Sequence, residues 1–204
     1  MIAIVDYGVG NLFSLTQSFR AIGADITVTS DPDVLRKADK ILLPGVGAFG
    51  DAAEKLRKSG LDNVLIEETL KGKPLLGICL GMQLLFEEGY EYGRHKGLGL
   101  IKGCVKPIAD VIPKELKIPH MGWNGLDIRK PSRILLNVSD GDCVYFVHSY
   151  YGDAEADAVI ATAEYGVPLT AAVEKGNVFG CQFHPEKSGK VGLEILRAFC
   201  EMKV

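Results

Sequence analysis

The sequence predicts an α/β protein in which helices flank a mixed, mostly parallel sheet, giving three layers. In the first half of the chain, short apolar runs alternate with helical patterns, as in parallel strands joined by crossover helices. In the second half, short strand patterns follow one another between turn residues, which indicates hairpins. The length of 204 residues suits one domain with a sizeable core.

The first half of the chain predicts strands that alternate with helices. Leu12 and Phe19 share one face of a helical pattern that Asn11 can cap. Asp31 and Pro32 are typical of the cap and first position of a short helix. The predicted strands are 2–5, 26–29, 41–43 and 75–79. The predicted helices are 11–22, a short one from position 31, 52–70 with a break at position 60, and 82–87.

The second half of the chain predicts six short strands and a closing helix. Gly, Asp, Asn and Pro separate the strand patterns, as expected for turns between hairpin strands. These strands are 98–107, 122–128, 143–148, 159–164, 169–173 and 178–183, and the helix is 192–202. Because no linker, repeat or low-complexity segment interrupts the chain, we expect residues 1–204 to form a single domain.

Composition argues against several classes of protein. The net charge is −3 without a basic block, so nucleic-acid binding has no support. The five cysteines lack paired spacing, which disfavours disulfides, structural zinc and any other metal site. The N terminus predicts a strand rather than a signal peptide, and no apolar run approaches a membrane span. We therefore expect reduced thiols, a cytoplasmic location and no membrane contact.

A thiol between two glycines is the main candidate for chemistry. Cys79 lies in the pattern G-x-C-x-G between a strand and a helix, which is typical of a nucleophile elbow. A helix N-terminus favours the ionised thiol. Pro185 biases His184 towards extended backbone, so His184 and Glu186 can lie on one face as base and orienting carboxylate. A histidine in such a sequence could equally be structural.

The remaining cysteines and the elbow itself have a simpler interpretation. A cysteine among apolar residues is most often a small buried hydrophobe. That interpretation is the expectation for Cys104, Cys143, Cys181 and Cys200, and it stays open for Cys79.

Two glycine-containing loops follow other predicted parallel strands and should lie at the same sheet edge as Cys79. The loop 7–11 lacks the spacing and the Lys-Ser/Thr pair of a phosphate loop, which disfavours nucleotide binding. The loop 44–47 reads Pro-Gly-Val-Gly, and its N–H groups could stabilise an oxyanion. A plain strand-ending turn is the alternative for that loop.

Six motifs together resemble a known family. They are DYGVGN (6–11), PGVGAF (44–49), GICLGMQLLF (77–86), PHMGWN (119–124), YFVHSY (145–150) and QFHPEKS (182–188). Over essentially its whole length, the chain resembles the class I (triad) glutamine amidotransferases, which have a flavodoxin-like fold. More narrowly, it is similar to the glutaminase subunits of imidazole glycerol phosphate synthases in histidine biosynthesis.

The resemblance implies hydrolysis of glutamine without a cofactor. Cys79 would attack the side-chain amide, His184 would move the proton, and Glu186 would orient His184. The thioester would be hydrolysed to glutamate. The positions that resemble oxyanion donors are Leu80 together with Val46 or Gly47. The positions that resemble glutamine-binding residues are Gly47, Gln83, His148, Ser149 and Tyr150.

The resemblance also implies a partner protein. Ammonia would pass to a (βα)₈-barrel cyclase subunit in a heterodimer. There it would react with a phosphoribulosyl-formimino aminoimidazole-carboxamide ribonucleotide, giving imidazole glycerol phosphate and aminoimidazole-carboxamide ribonucleotide. The positions that resemble interface residues are Asn11, His120, Trp123, Tyr145 and Lys187. From the residues alone, Trp123 could equally be a core aromatic and Lys187 a solvated charge.

Three other functions remain open from the sequence. The chain could be a glutaminase that serves another synthase, such as the pyridoxal phosphate or anthranilate system. It could be a stand-alone cysteine hydrolase or peptidase, although such enzymes need not carry His-x-Glu near the C terminus. It could also be a non-enzymatic interaction module, which alkylation of Cys79 by an electrophilic glutamine analogue would argue against.

Overall fold

The computed structural model describes residues 1–203, which form two sheets and six helices. The strands are β1 (Ile2–Val5), β2 (Ile26–Thr29), β3 (Lys40–Leu43), β4 (Leu75–Ile78), β5 (Phe86–Gly89), β6 (His95–Lys96), β7 (Ile101–Pro107), β8 (His120–Ile128), β9 (Cys143–His148), β10 (Tyr150–Ala154), β11 (Val159–Glu164), β12 (Pro168–Lys175) and β13 (Val178–Cys181). The helices are α1 (Leu12–Ala21), α2 (Pro32–Lys37), α3 (Phe49–Ser59), α4 (Leu61–Leu70), α5 (Leu80–Gln83) and α6 (Gly189–Glu201).

The main sheet is mixed, as predicted. Its nine strands lie in the order β2-β1-β3-β4-β13-β12-β11-β8-β9. The pairings from β2 to β13 are parallel, whereas those from β13 to β9 are antiparallel. The side of the sheet from β2 to β13 is therefore parallel, and the side from β13 to β9 is antiparallel, as the predicted hairpins require. A second sheet has the order β10-β7-β5-β6.

Helices cover both faces of the parallel half, which confirms the three layers. Successive side chains of a strand point to opposite faces. In β1, Ala3 and Val5 belong to the core cluster shared with α2, α3 and α4. Ile2 and Ile4 belong to the cluster shared with α1 and α6. Burial on both faces explains why β1 is a continuous apolar run rather than an alternating one.

The helix ends follow the predicted chemistry. The Asn11 side chain accepts a hydrogen bond from the Ser14 N–H and caps α1. The Asp31 side chain accepts from the Asp33 N–H and caps α2. Gly60 has φ 71° and separates α3 from α4, a conformation that glycine adopts at little cost.

The segment after the elbow differs from the prediction. The helix expected over 82–87 is one turn, α5, and the chain then leaves as strand β5. Phe86 pairs with Ile101, and Gly89 pairs with Val105, so a strand distant in sequence takes over the backbone hydrogen bonding. The strands β6 and β10 were not predicted either, and both belong to this second sheet.

Candidate active site

Cys79 occupies a strained turn between β4 and α5. Its backbone has φ 54° and ψ −113°, which is uncommon for a residue other than glycine. Its N–H donates to the Cys181 carbonyl at 2.7 Å. A Cβ on Gly81 would lie 1.9 Å from the Leu43 carbonyl oxygen, and one on Gly77 would lie 2.6 Å from the Gly81 carbonyl oxygen. Both glycines are therefore required for the close packing that holds the turn.

His184 and Glu186 follow β13 and lie together. The His184 Nδ1 atom is 2.8 Å from Glu186 Oε1, and each side chain is 4% exposed. Two further contacts fix the backbone of His184: its N–H donates to the Tyr145 carbonyl at 2.9 Å, and its carbonyl accepts from the Ser188 hydroxyl at 2.7 Å. Among residues 1–203, no donor reaches Glu186 Oε2. The carboxylate is therefore directed at His184.

The electrostatics of His184 are set by burial and two neighbours. Burial disfavours the charged ring, but the hydrogen bonds to Cys79 and Glu186 outweigh it and raise the pKa of His184 to about 9. Because Glu186 occupies Nδ1, Nε2 is left for the sulfur. The structure thus joins the three residues that the sequence predicted as a triad.

Cys79 and His184 open onto a cavity of about 340 Å³, which suits a small molecule. The predicted oxyanion and glutamine-binding residues all line it. The lining residues are Val46, Gly47, Cys79, Leu80, Gln83, Glu91, Pro119, Val147, His148, Ser149, Tyr150 and His184. Glu91 was missed from the sequence. Its Oε2 accepts from the Phe49 N–H at 2.7 Å, so only the fold brings it to the cavity.

The side chain of Gln83 is tied to the wall of the cavity. Its Nε2 donates to the Tyr150 carbonyl and to Gln182 Oε1, both at 3.0 Å. Gln182 Nε2 in turn lies 3.8 Å from Cys79 Sγ. The amide of Gln83 therefore links the elbow to the segment around Tyr150.

The loop 44–47 packs directly over the elbow. The Tyr7 hydroxyl donates to the Pro44 carbonyl at 2.8 Å, and burial raises the pKa of Tyr7. A Cβ on Gly45 would lie 2.7 Å from the Gly81 N–H nitrogen. Gly47 has φ 95°, and Val46 is 44% exposed. The loop 7–11 thus serves as support for the loop 44–47 through Tyr7.

The predicted interface residues fall into two groups. Trp123 is 55% exposed and lies edge-on to Tyr145 with ring centroids 6.0 Å apart, so it is not a core residue. Lys187 Nζ lies 5.7 Å from the centre of the Tyr145 ring. Asn11 is exposed at the start of α1. His120, in contrast, is 1% exposed, so its ring lies behind this surface rather than on it.

The other cysteines are not alike. Cys181 is fully buried, and burial raises the pKa of its thiol. Cys104 and Cys200 are partly buried, whereas Cys143 is exposed and does not fit the expected buried role. Within residues 1–203, no group of His, Cys, Asp and Glu side chains is arranged to hold a metal ion. In that same range, no helix combines the length and hydropathy needed to cross a membrane.

A thiol on a strained elbow beside an imidazole–carboxylate pair defines a class of enzyme that transfers acyl groups through cysteine. The sequence model of the family "Glutamine amidotransferase class-I" matches residues 3–202. The chain belongs to this family and is an enzyme, a glutamine amidotransferase of class I.

Curated relatives narrow the assignment. The imidazole glycerol phosphate synthase subunit HisH of Methanothermobacter thermautotrophicus is 52% identical, over 99% of this chain and 98% of the relative. The HisH subunit of Caldanaerobacter subterraneus subsp. tengcongensis is 49% identical, again over 99% and 98%. Within the class-I family, the chain therefore belongs with the HisH subunits, as its motifs indicated.

Solved structures support the fold. A crystal structure of a glutamine amidotransferase has a TM-score of 0.76 at 17% identity, covering 98% of each chain. A chain in the structure of PurLQS from Thermotoga maritima has a TM-score of 0.75 at 21% identity, covering 97% of this chain and 96% of that one. At such identities the likeness concerns the fold alone, and it confirms the predicted fold class.

Proposed function

We propose that the chain is the glutaminase subunit of an imidazole glycerol phosphate synthase. It hydrolyses glutamine to glutamate and ammonia and supplies the ammonia to a cyclase subunit. The observation that carries the proposal is the placement of Cys79 at a strained elbow where, with His184, it lines a cavity of about 340 Å³. The similarity to HisH subunits over nearly the full length supports the choice of pathway.

The chemistry proceeds through a thioester. The Cys79 thiolate attacks the side-chain carbonyl carbon of glutamine, and the thiol proton resides on His184. The carbon–nitrogen bond breaks as that proton moves to the leaving nitrogen, which departs as ammonia. His184 then accepts a proton from water, which attacks the thioester and releases glutamate and the thiol. Glu186 holds the ring orientation and offsets its positive charge in both steps.

The walls of the cavity can recognise both ends of glutamine. The developing oxyanion accepts hydrogen bonds from the N–H of Leu80 and from Val46 or Gly47. Glu91 is the one acidic side chain among the lining residues within 1–203, so we assign it to the α-ammonium group. Gln83 and the segment 148–150 also line the cavity. A carboxylate facing an ammonium gives a charge-assisted contact that neutral amides cannot match.

An exposed apolar surface beside the cavity suits a protein partner. Ile118, Met121 and Trp123 are 46%, 61% and 55% exposed, and they lie close together in the sequence. Aromatic and methionine side chains are enriched at interfaces. We assign this surface, with Asn11, Tyr145 and Lys187, to the (βα)₈-barrel cyclase subunit.

The assembly we propose is a heterodimer with an ammonia channel between the two sites. Its lyase chemistry, the formation of imidazole glycerol phosphate, belongs to the cyclase subunit. The unpaired cysteines of residues 1–203 suit the reducing cytoplasm.

Substitution of the nucleophile tests this division of labour. In the complex with the cyclase subunit, Cys79→Ala should abolish glutamine-dependent synthesis and leave ammonia-dependent synthesis intact. Cys143→Ala is the matched control, because it removes an exposed thiol away from the cavity and should change neither rate. Loss of the ammonia-dependent reaction in Cys79→Ala, or retention of the glutamine-dependent one, would contradict the proposal.

A further inference from the structure

The wall of the cavity turns a corner between the two sheets. Strand β9 of the main sheet ends at His148, strand β10 of the second sheet begins at Tyr150, and Ser149 lies between them. Two side chains contact the Tyr150 carbonyl at this corner. The carbonyl accepts a hydrogen bond from Gln83 Nε2 at 3.0 Å and lies 2.8 Å from His148 Nδ1. The position of one wall of the cavity therefore depends on a histidine ring.

A chain of side-chain contacts continues from that ring towards β8 and the surface. His148 Nε2 lies 3.0 Å from His120 Nδ1, and His120 Nε2 lies 2.8 Å from Asn124 Oδ1. The Asn124 Nδ2 donates to the Glu164 carbonyl at 3.0 Å. Acceptors thus stand at both ends of the histidine pair: the Tyr150 carbonyl and Asn124 Oδ1.

The number of protons in this chain decides which contacts are attractive. Three contacts need three N–H protons, whereas two neutral imidazoles carry two. A third proton would place a charge in a buried site that also faces the cationic His184. Burial lowers the pKa of His148 to about 4 and lowers the pKa of His120. At neutral pH the pair is therefore neutral, and one contact lacks its proton.

The contact that lacks a proton is the one between His120 and Asn124, because only that end of the hydrogen-bond chain can rearrange. The Tyr150 carbonyl is fixed at the corner between the sheets. Asn124 is only partly buried and Glu164 is exposed, so the amide can turn its Nδ2 towards His120 while water serves the Glu164 carbonyl. This arrangement puts one proton on Nδ1 of each ring, and both bonds on the cavity side are kept.

We propose that His120 is a positioning residue for glutamine binding. Its Nδ1–H donates to His148 Nε2, which keeps the proton of His148 on Nδ1, where it holds the Tyr150 carbonyl and the corner 148–150 against the cavity. The inference rests on the proposed function, and it gives the buried His120 a role other than contact with a partner.

Two substitutions of His120 separate its hydrogen bond from its packing. The ring stacks between Phe146 and Tyr165, with centroid distances of 4.9 and 4.0 Å. His120→Phe keeps an aromatic ring there and removes both nitrogens. His120→Asn loses the stacking but places an amide N–H near the position of Nδ1.

The kinetics are measured on the complex with the cyclase subunit, with unfolding temperatures to monitor stability. In His120→Phe we expect the KM for glutamine to rise about tenfold, as for one lost buried hydrogen bond, while kcat changes by less than about twofold. His120→Asn should recover most of the affinity. An unchanged KM in His120→Phe beside an active wild type would overturn this inference alone. A wild-type complex without glutaminase activity would overturn the proposed function and the inference with it.

The proton positions can also be read directly in the wild type. The chain has four histidines, so long-range ¹H–¹⁵N correlations of the rings can be assigned by substitution. We expect His120 and His148 both to carry the proton on Nδ1 and to have bare Nε2 atoms at neutral pH. A proton on Nε2 of either ring would overturn the inference, even if His120→Phe fails to fold.

Discussion

Replacing Glu186 by glutamine removes a charge and keeps the shape of the site. The carboxylate lies 2.8 Å from His184 Nδ1 in a buried pair, and no other donor in residues 1–203 reaches its second oxygen. A glutamine side chain can still offer an oxygen to the Nδ1–H. The substitution therefore tests whether the charge, rather than the hydrogen bond alone, sustains the imidazolium.

The expected magnitude follows from the pKa of His184, which the structure places at about 9. An adjacent opposite charge typically shifts a pKa by about 1–3 units, and each unit corresponds to about 1.4 kcal/mol. In Glu186→Gln the pKa of His184 should therefore fall to about 6–8. Glutaminase activity of the complex should fall roughly 10- to 1,000-fold, and it should stay above that of Cys79→Ala, because the nucleophile remains.

Two assays check this result. Initial rates of glutamate release report activity in the presence of the cyclase subunit and its ribonucleotide, and an NMR titration reports the pKa of His184. Glu201→Gln is the matched control, because that carboxylate is exposed at the end of α6 and should change neither quantity. An unchanged pKa of His184, or activity as low as in Cys79→Ala, would refute the reasoning.

Three further predictions concern the base, the loop over the elbow and the partner surface. The raised pKa of His184 implies that protonation stabilises the folded state, by at most about 3 kcal/mol. This stabilisation is complete below pH 6.5 and is lost as pH rises through about 9. The free energies of unfolding of wild type and His184→Gln, measured in urea, should therefore converge at high pH. Val46→Pro deletes one candidate oxyanion donor and should lower acceptor-stimulated glutamine hydrolysis about 10²–10³-fold with ammonia-dependent synthesis intact; full hydrolysis would exclude a Val46 donor. Lys187→Ala should reduce the ratio of acceptor-stimulated to basal glutaminase rates, and an unchanged ratio would reject a coupling role for Lys187.

The local part of the site could be predicted from the sequence because its signals are local. The glycines around Cys79 and the proline after His184 specify backbone shapes within a few residues, and the structure has those shapes. The caps Asn11 and Asp31 act within the first turn of their own helices. Such features depend little on the rest of the fold.

The features that were missed depend on contacts distant in sequence. The helix expected over 82–87 is shortened to the single turn α5 and followed by β5, because Phe86 pairs with Ile101 of the adjacent strand in the second sheet. Glu91 reaches the cavity through its bond to the Phe49 N–H, a contact across 42 positions. His120 had no local signal of burial, since its environment comes from Phe146 and Tyr165. Each case depends on tertiary pairing that no short motif encodes.

The fate of the glutamine nitrogen tests the central claim most directly. The complex would be supplied with amide-¹⁵N glutamine in the presence of excess unlabelled ammonium, at a pH low enough to keep free ammonia scarce. We predict that imidazole glycerol phosphate carries nearly the full enrichment of the glutamine amide, and that the incorporation disappears in Cys79→Ala. Product with the enrichment of the bulk ammonium, or labelled product from Cys79→Ala, would contradict the account.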